Sequence, residues 1–290
     1  MEIAAPNRPL PPRALTGLFL LALCWPLDWS LPRSCTPTAF LFFPLWLGYI
    51  LLMDALVWLR SGTSFWTRSR RDFILLFILS APVWWLFELI NLRAANWEYL
   101  GANVFTPLEY NALCALAFST VMPAVFETAE WVCSFRRVRS LPPGARVPDS
   151  RAVAIALFAA GFVMLVLLLL QPRLFYPFTW ISLFALLEPV NRALGRPHLL
   201  HWLDRGDWRP VLCLSLGALI CGFFWEMWNY WSWPKWVYHV PGADFLRVFE
   251  MPILGYGGYI PFGLELFALK NFLCPRAGKG NLAEDEATSP

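Results

Sequence analysis

The chain is predicted to be an all-α, polytopic membrane helix bundle of about eight transmembrane helices in two parallel four-helix repeats. Three observations carry this reading. Hydrophobic residues make up 58% of the chain and charged residues only 15%, far from the averages for soluble domains. Apolar stretches recur at a length of about 20 residues, enough for a helix to cross roughly 30 Å of hydrocarbon. The pattern of the first half also returns in the second. A β-barrel is not expected, because no ten-residue segments alternate with period two.

The expected spans are 14–27, 39–59, 73–93, 109–131, 152–171, 174–190, 210–231 and 252–273. The run Ala152–Leu170 is almost purely aliphatic, whereas the first span is short and holds Pro26 with Asp28 just beyond. Basic residues set the orientation. With a cytoplasmic N-terminus, 18 of the 23 Lys and Arg residues fall inside, leaving Arg33, Arg93, Arg173, Lys235 and Arg247 outside. This split predicts an even number of crossings, both termini in the cytoplasm, and residence in the cell inner membrane. The arginines therefore act as topology signals, and the formal charge of +3 gives no reason to expect nucleic acid. No cleavable leader is expected at the proline-rich start. The seven cysteines include no CxxC and are expected to be small apolar fillers.

The duplication is clearest at Trp84–Tyr99 and Phe223–Tyr238. In each, a Glu precedes an Asn by three residues (Glu88/Asn91, Glu226/Asn229), and a Trp-x-Tyr follows (Trp97/Tyr99, Trp236/Tyr238). Pro123 with Glu127 matches Pro261 with Glu265, and Asp54 falls opposite Glu188. The resulting units are a first repeat at 1–135, a basic cytoplasmic linker at 136–151, a second repeat at 152–274 and a disordered tail at 275–290. Four spans per unit keep both halves in one orientation, as in parallel-repeat transporters whose halves enclose a shared cavity.

A carboxylate inside a span is a functional hypothesis by default, because its transfer from water is unfavourable by at least about 2.5 kcal/mol. Glu88, Glu226, Glu109 and Glu250 are the candidate acids on the outer side, with Asp54, Glu127, Glu188 and Glu265 forming an inner layer. Asn91 and Asn229 lie one turn along and are expected to orient the acids and to take part in substrate binding. Trp85, Trp97, Tyr99, Trp225, Trp236 and Tyr238 are the expected ligand-binding aromatics, since indole faces stabilise cations within about 6 Å. An undissociated acid beside such faces suits protonation of a carbon–carbon double bond in an apolar polyene. No cofactor is expected, for the chain has no dinucleotide fingerprint and no P-loop. No metal is expected either; His198, His201, Asp204 and Asp207 read as an amphipathic interfacial turn.

The pattern of an acid near an Asn late in one helix, an aromatic loop, then Pro-x-Glu opening the next helix resembles the membrane lycopene cyclases of the heterodimeric and fused type. Glu88, Asn91, Tyr99 and Pro107-Leu-Glu109 carry the resemblance in the first half, and Glu226, Asn229 and Tyr238 in the second. Glu250-Met-Pro252 reverses the Pro-x-Glu order, and Tyr110 stands where that family doubles the acid. The resemblance implies acid-catalysed cyclisation of a carotenoid or related isoprenoid, with Glu109 and Glu88 as leading acids. Two alternatives remain at this stage. One is a secondary transporter or permeation protein using its intramembrane carboxylates. The other is a structural or pigment- or lipid-binding subunit with partner subunits.

Overall fold

The computed structural model describes residues 8–32 and 36–275. Arg33, Arg276, Lys279 and the expected tail from residue 276 onward lie outside the described residues. In chain order the helices are α1 (Pro12–Ser30), α2 (Phe42–Ser61), α3 (Phe65–Arg68), α4 (Arg70–Ala94), α5 (Pro107–Phe118), α6 (Val121–Cys133), α7 (Arg136–Arg139), α8 (Arg151–Leu170), α9 (Pro172–Phe175), α10 (Ser182–Ala193), α11 (Leu200–Leu203), α12 (Arg209–Trp231) and α13 (Tyr259–Leu273). Two short antiparallel ladders join β1 (Trp97–Leu100) to β2 (Lys235–Tyr238) and β3 (Arg247–Val248) to β4 (Met251–Pro252).

Among the described residues, five helical stretches are long and apolar enough to cross a membrane: Thr38–Ser61, Arg70–Ala94, Pro107–Cys133, Arg151–Leu170 and Arg209–Trp231. They coincide with the second, third, fourth, fifth and seventh expected spans. The other three fall short for local reasons. Pro26 and Asp28 interrupt the apolar run of α1. The 3-10 segments Tyr176–Trp180 and Ile253–Gly258 occupy the starts of the sixth and eighth, which leaves helices of 12 and 15 residues.

Side-chain caps fix several helix starts. The hydroxyls of Ser69 and Ser150 accept the Asp72 and Val153 amides at α4 and α8, satisfying N–H groups that have no partner within the helix. The fourth stretch breaks at Ser119 and Thr120, whose hydroxyls turn back to the carbonyls of Leu116 and Ala117 (both 2.6 Å). Ser80 of α4 bridges this break, donating to the Phe118 carbonyl (2.5 Å) and accepting from the Met122 amide (3.0 Å).

In the packing, α1 lies on α2 and α8 on α10, while α6 and α12 meet at the centre with α13 against α12. Gly217 permits the central contact, since a Cβ there would stand 2.8 Å from the Ala129 amide nitrogen. Trp46, Trp228, Phe87, Phe126 and Phe262 are fully buried in this core. On α8, by contrast, Ile155, Phe158, Phe162 and Leu170 are exposed, as suits a face turned to lipid tails. A disulfide joins Cys133 of α6 to Cys213 of α12. This corrects the filler reading for those two: both cysteines occur at ends of helices that pack together, whereas Cys24, Cys114 and Cys221 are free and buried. The expected linker is docked rather than loose, for Gly144 and Val147 donate amides to the carbonyls of Gly206 and Leu203 (2.8 and 3.0 Å).

Candidate functional site

The two Trp-x-Tyr segments are the strands β1 and β2, and they pair with each other. Trp97 lies opposite Tyr238 and Tyr99 opposite Trp236, so each motif meets the other as a two-fold relation would require. Asn91 and Asn229 hold the strand starts. The Asn91 amide donates to the Trp97 carbonyl (2.8 Å) and its oxygen accepts the Asn96 and Trp97 amides (2.8 and 3.3 Å). Asn229 donates to the Trp236 carbonyl (2.8 Å) and accepts the Trp236 amide (2.9 Å). The asparagines were expected to orient the acids. They clamp the loops instead, because a carboxamide offers both a donor and an acceptor to an incoming backbone.

A cavity of about 560 Å³ lies against this ladder. Trp97, Tyr99, Trp225, Trp236 and Tyr238 line it, together with Trp84, and so do Tyr110, Trp180 and Tyr259, which the sequence reading did not assign to the site. Trp180 stacks on Trp97 with ring centres 5.8 Å apart. Trp225 lies 5.1 Å from Trp46 and 5.9 Å from Tyr259. Polar contributions are few, chiefly Asn96, Ser232 and the phenols.

Glu88 and Glu226 sit directly behind this aromatic wall. Glu88 Oε1 accepts hydrogen bonds from Trp84 Nε1 (2.9 Å), Trp97 Nε1 (3.1 Å) and the Tyr99 hydroxyl (2.5 Å). Glu226 Oε1 accepts from the hydroxyls of Tyr238 and Tyr259, both at 2.7 Å. Trp236 Nε1 donates to the Tyr238 oxygen (2.8 Å), extending the chain to the ladder. Glu226 is fully buried, and its Oε2 has no hydrogen-bond partner among the described residues. Burial pushes the phenols of Tyr99 and Tyr238 well above their usual range, so both remain hydrogen-bond donors at neutral pH.

Three expected site residues stand elsewhere. Glu109 is exposed and closes a capping box with Thr106 at the start of α5, its Oε2 accepting the Thr106 amide at 2.8 Å. The Thr-x-x-Glu spacing that signals such a box was legible and outweighs the acid reading. Glu250 pairs with Lys235 and lies 3.9 Å from Arg247, a rim ion pair rather than a proton donor. Trp85 is 37% exposed, is not among the residues that line the cavity, and packs on the outside of one that does, Phe118. In the inner layer, Asp54 pairs with Arg13 and accepts the Trp66 amide (3.0 Å). Glu188 accepts the Leu200 amide (2.8 Å) across the same interval of 12 residues. Glu265 caps α10 through the Leu183 amide (2.9 Å), and Glu127 is fully buried within electrostatic reach of Asp54. His198 bonds Asp149 at 3.0 Å, at the docked linker.

No family model, no curated protein and no solved structure matches this chain.

Proposed function

We propose that this is an integral membrane protein of eight crossings, two parallel four-helix repeats whose shared cavity takes an apolar, isoprenoid-like molecule. We further propose that its reaction is acid-catalysed cyclisation or isomerisation of a polyene. The observation that carries the reading is the cavity itself: aromatic rings from both halves, with a buried carboxylate hydrogen-bonded to the back of each group of rings. Such a wall stabilises a positive charge developing on a hydrocarbon, and phenols bonded to carboxylates supply protons without a cofactor. The paired strands, the matched asparagine clamps and the backbone amide that Asp54 and Glu188 each accept from 12 residues on support the duplication.

The volume is within the range of sites that bury a drug-sized molecule, so one end group of a long polyene fits while the remainder must leave. Leu113, Pro177 and Leu254, which is 61% exposed, form an apolar rim suited to that exit. The distribution of basic residues supports cytoplasmic termini in the inner membrane. Transport and a purely structural role gain less support. Three of the four inner acids serve as caps or ion partners, and a structural subunit has no need of an aromatic cavity backed by acids.

The test is gentle detergent extraction followed by mass spectrometry of retained apolar molecules. A stoichiometric polyene, lost on Trp97→Ala, supports the proposal. Retention of bulk phospholipids alone, in their membrane proportions, refutes it.

A further inference from the structure

The two carboxylates are served by different donors, and the difference is complementary. Glu226 follows Glu88 by 138 positions, as Pro261 follows Pro123 and Glu265 follows Glu127. At the same offset Trp84 corresponds to Gly222, and Val121 to Tyr259. In the first half the donor is Trp84, four residues before Glu88 on α4, and the small Val121 lines the same cavity. In the second half the donor is Tyr259 from α13, and a Cβ on Gly222 would stand 2.3 Å from the Tyr259 ring. Large and small have exchanged places between two helices, and both solutions aim a donor at the Glu while lining the cavity.

The two donors are not chemically equal. An indole N–H donates but has no lone pair to accept with, whereas a phenol does both. Glu88 Oε1 receives three donors, two of them indoles, which saturates its lone pairs. Glu226 Oε1 receives two phenols, and Oε2 is buried and unpartnered among the described residues.

From this we infer that the halves have divided the work: Glu226 is the proton reservoir and Tyr259 the catalytic residue that passes its proton to the ligand, while Glu88 fixes Trp84, Trp97 and Tyr99 as the binding wall. The inference rests on the proposed function and names the acting half of that site. In the step, Tyr259 gives its hydroxyl hydrogen to one carbon of a C=C bond. The π pair becomes the new C–H bond and leaves a cation on the other carbon. The Glu226 proton, brought from Oε2 by a flip of the carboxyl group, refills the phenol. A carbon next to the cation then loses a proton, which returns through Tyr259 to Glu226, and the C–H pair forms the new double bond. Nothing is oxidised or reduced.

The test uses the full chain in nanodiscs in D2O, with lycopene as the acyclic polyene probe. Binding is read by quenching of tryptophan emission, and proton delivery by deuterium incorporation into the polyene. Tyr259→Phe is expected to lower incorporation at saturation by at least about 100-fold, with affinity within about twofold of wild type. Trp84→Phe is expected to act mainly on affinity, by about tenfold. Gly222→Trp alone should lower the thermal midpoint, and Gly222→Trp with Tyr259→Val should restore it, bind the probe and incorporate no deuterium.

Incorporation unchanged in Tyr259→Phe overturns the inference. So does a double variant no more stable than Gly222→Trp, a comparison that needs no ligand. Binding by wild type without incorporation removes the proton step and leaves the cavity reading standing. Absence of quenching by wild type sinks the proposed function itself.

Discussion

Replacing Asn229 by Ala tests whether the asparagine clamps build the cavity wall. The side chain is fully buried, and both of its hydrogen bonds go to the backbone of Trp236. Truncation removes both bonds and leaves a part-buried N–H and C=O without partners. Each net bond is worth about 1 kcal/mol, and the orphaned N–H and C=O, only part-buried, together add about 1 kcal/mol more, so a loss of about 3 kcal/mol follows. For a chain of this size that lowers the thermal midpoint by roughly 6–12 °C, measurable by tryptophan emission of the detergent-solubilised protein. Asn91→Ala should lower it less, because Asn91 is only half-buried and water replaces part of what is lost. Asn229→Asp should not rescue the protein: it keeps the acceptor for the Trp236 amide but sets a carboxylate against the Trp236 carbonyl. A midpoint within a degree of wild type for Asn229→Ala would refute the clamp argument, since two buried bonds cannot vanish without effect.

Further outcomes follow from other contacts. Glu109→Gln keeps an acceptor for the Thr106 amide and should change the midpoint by under about 1 kcal/mol of stability, with polyene retention unaltered, as mass spectrometry of the extracted protein would register. Gly217→Val forces α12 away from Ala129 and should destabilise the protein by about 1–3 kcal/mol in the same melts. Asp149 is partly buried, yet hydrogen bonds from His198 and Arg192 outweigh that burial and hold its carboxyl below the usual range. Its stabilisation is therefore fully present above about pH 4 and is lost as pH falls through the lower native value. Asp149→Asn should flatten this acid limb in melts recorded as a function of pH, whereas an unchanged limb would exclude the linker contact as its source.

The elements most legible in the sequence were those set by one-dimensional composition. The aliphatic run of α8 and the long stretches around α2, α4 and α12 appear where apolar length alone put them. The shorter α10 and α13 did not, because Pro177 and the cluster Gly255, Gly257 and Gly258 convert helix starts into 3-10 turns while hydropathy stays high. At the site, the internal repeat singled out Glu88, Glu226 and both Trp-x-Tyr segments, but not the pairing of the strands with each other. Nor did it show that the asparagines face backbone instead of acid, since three-residue spacing places two side chains on one helix face without saying what either meets. Trp84 and Tyr259 escaped notice as equivalents because comparing the halves rewards identity, and their relation is an exchange between two positions. The Gly222 and Val121 that accompany them were the available signal.

The two acidic layers show why the outer one is the candidate for chemistry. A buried carboxylate needs compensation, and the chain supplies it in three ways: backbone amides at Glu188 and Glu265, guanidinium groups, or ring donors. Asp54 and Glu130 are matched by Arg13 and by Arg68, the latter at 2.5 Å. A guanidinium carries its charge at any accessible pH, so an acid held that way is committed to remaining an anion. Glu88 and Glu226 receive indole and phenol donors instead, groups that stabilise a carboxyl oxygen without adding a positive charge. An acid compensated like this can exchange a proton without breaking an ion pair, and its donors are the rings that face the cavity. Arginine in their place would have held each acid as an anion and ended any traffic of protons. The phenols at Glu226 fit an acid whose proton has to move, and the indoles at Glu88 fit one that holds its rings in place.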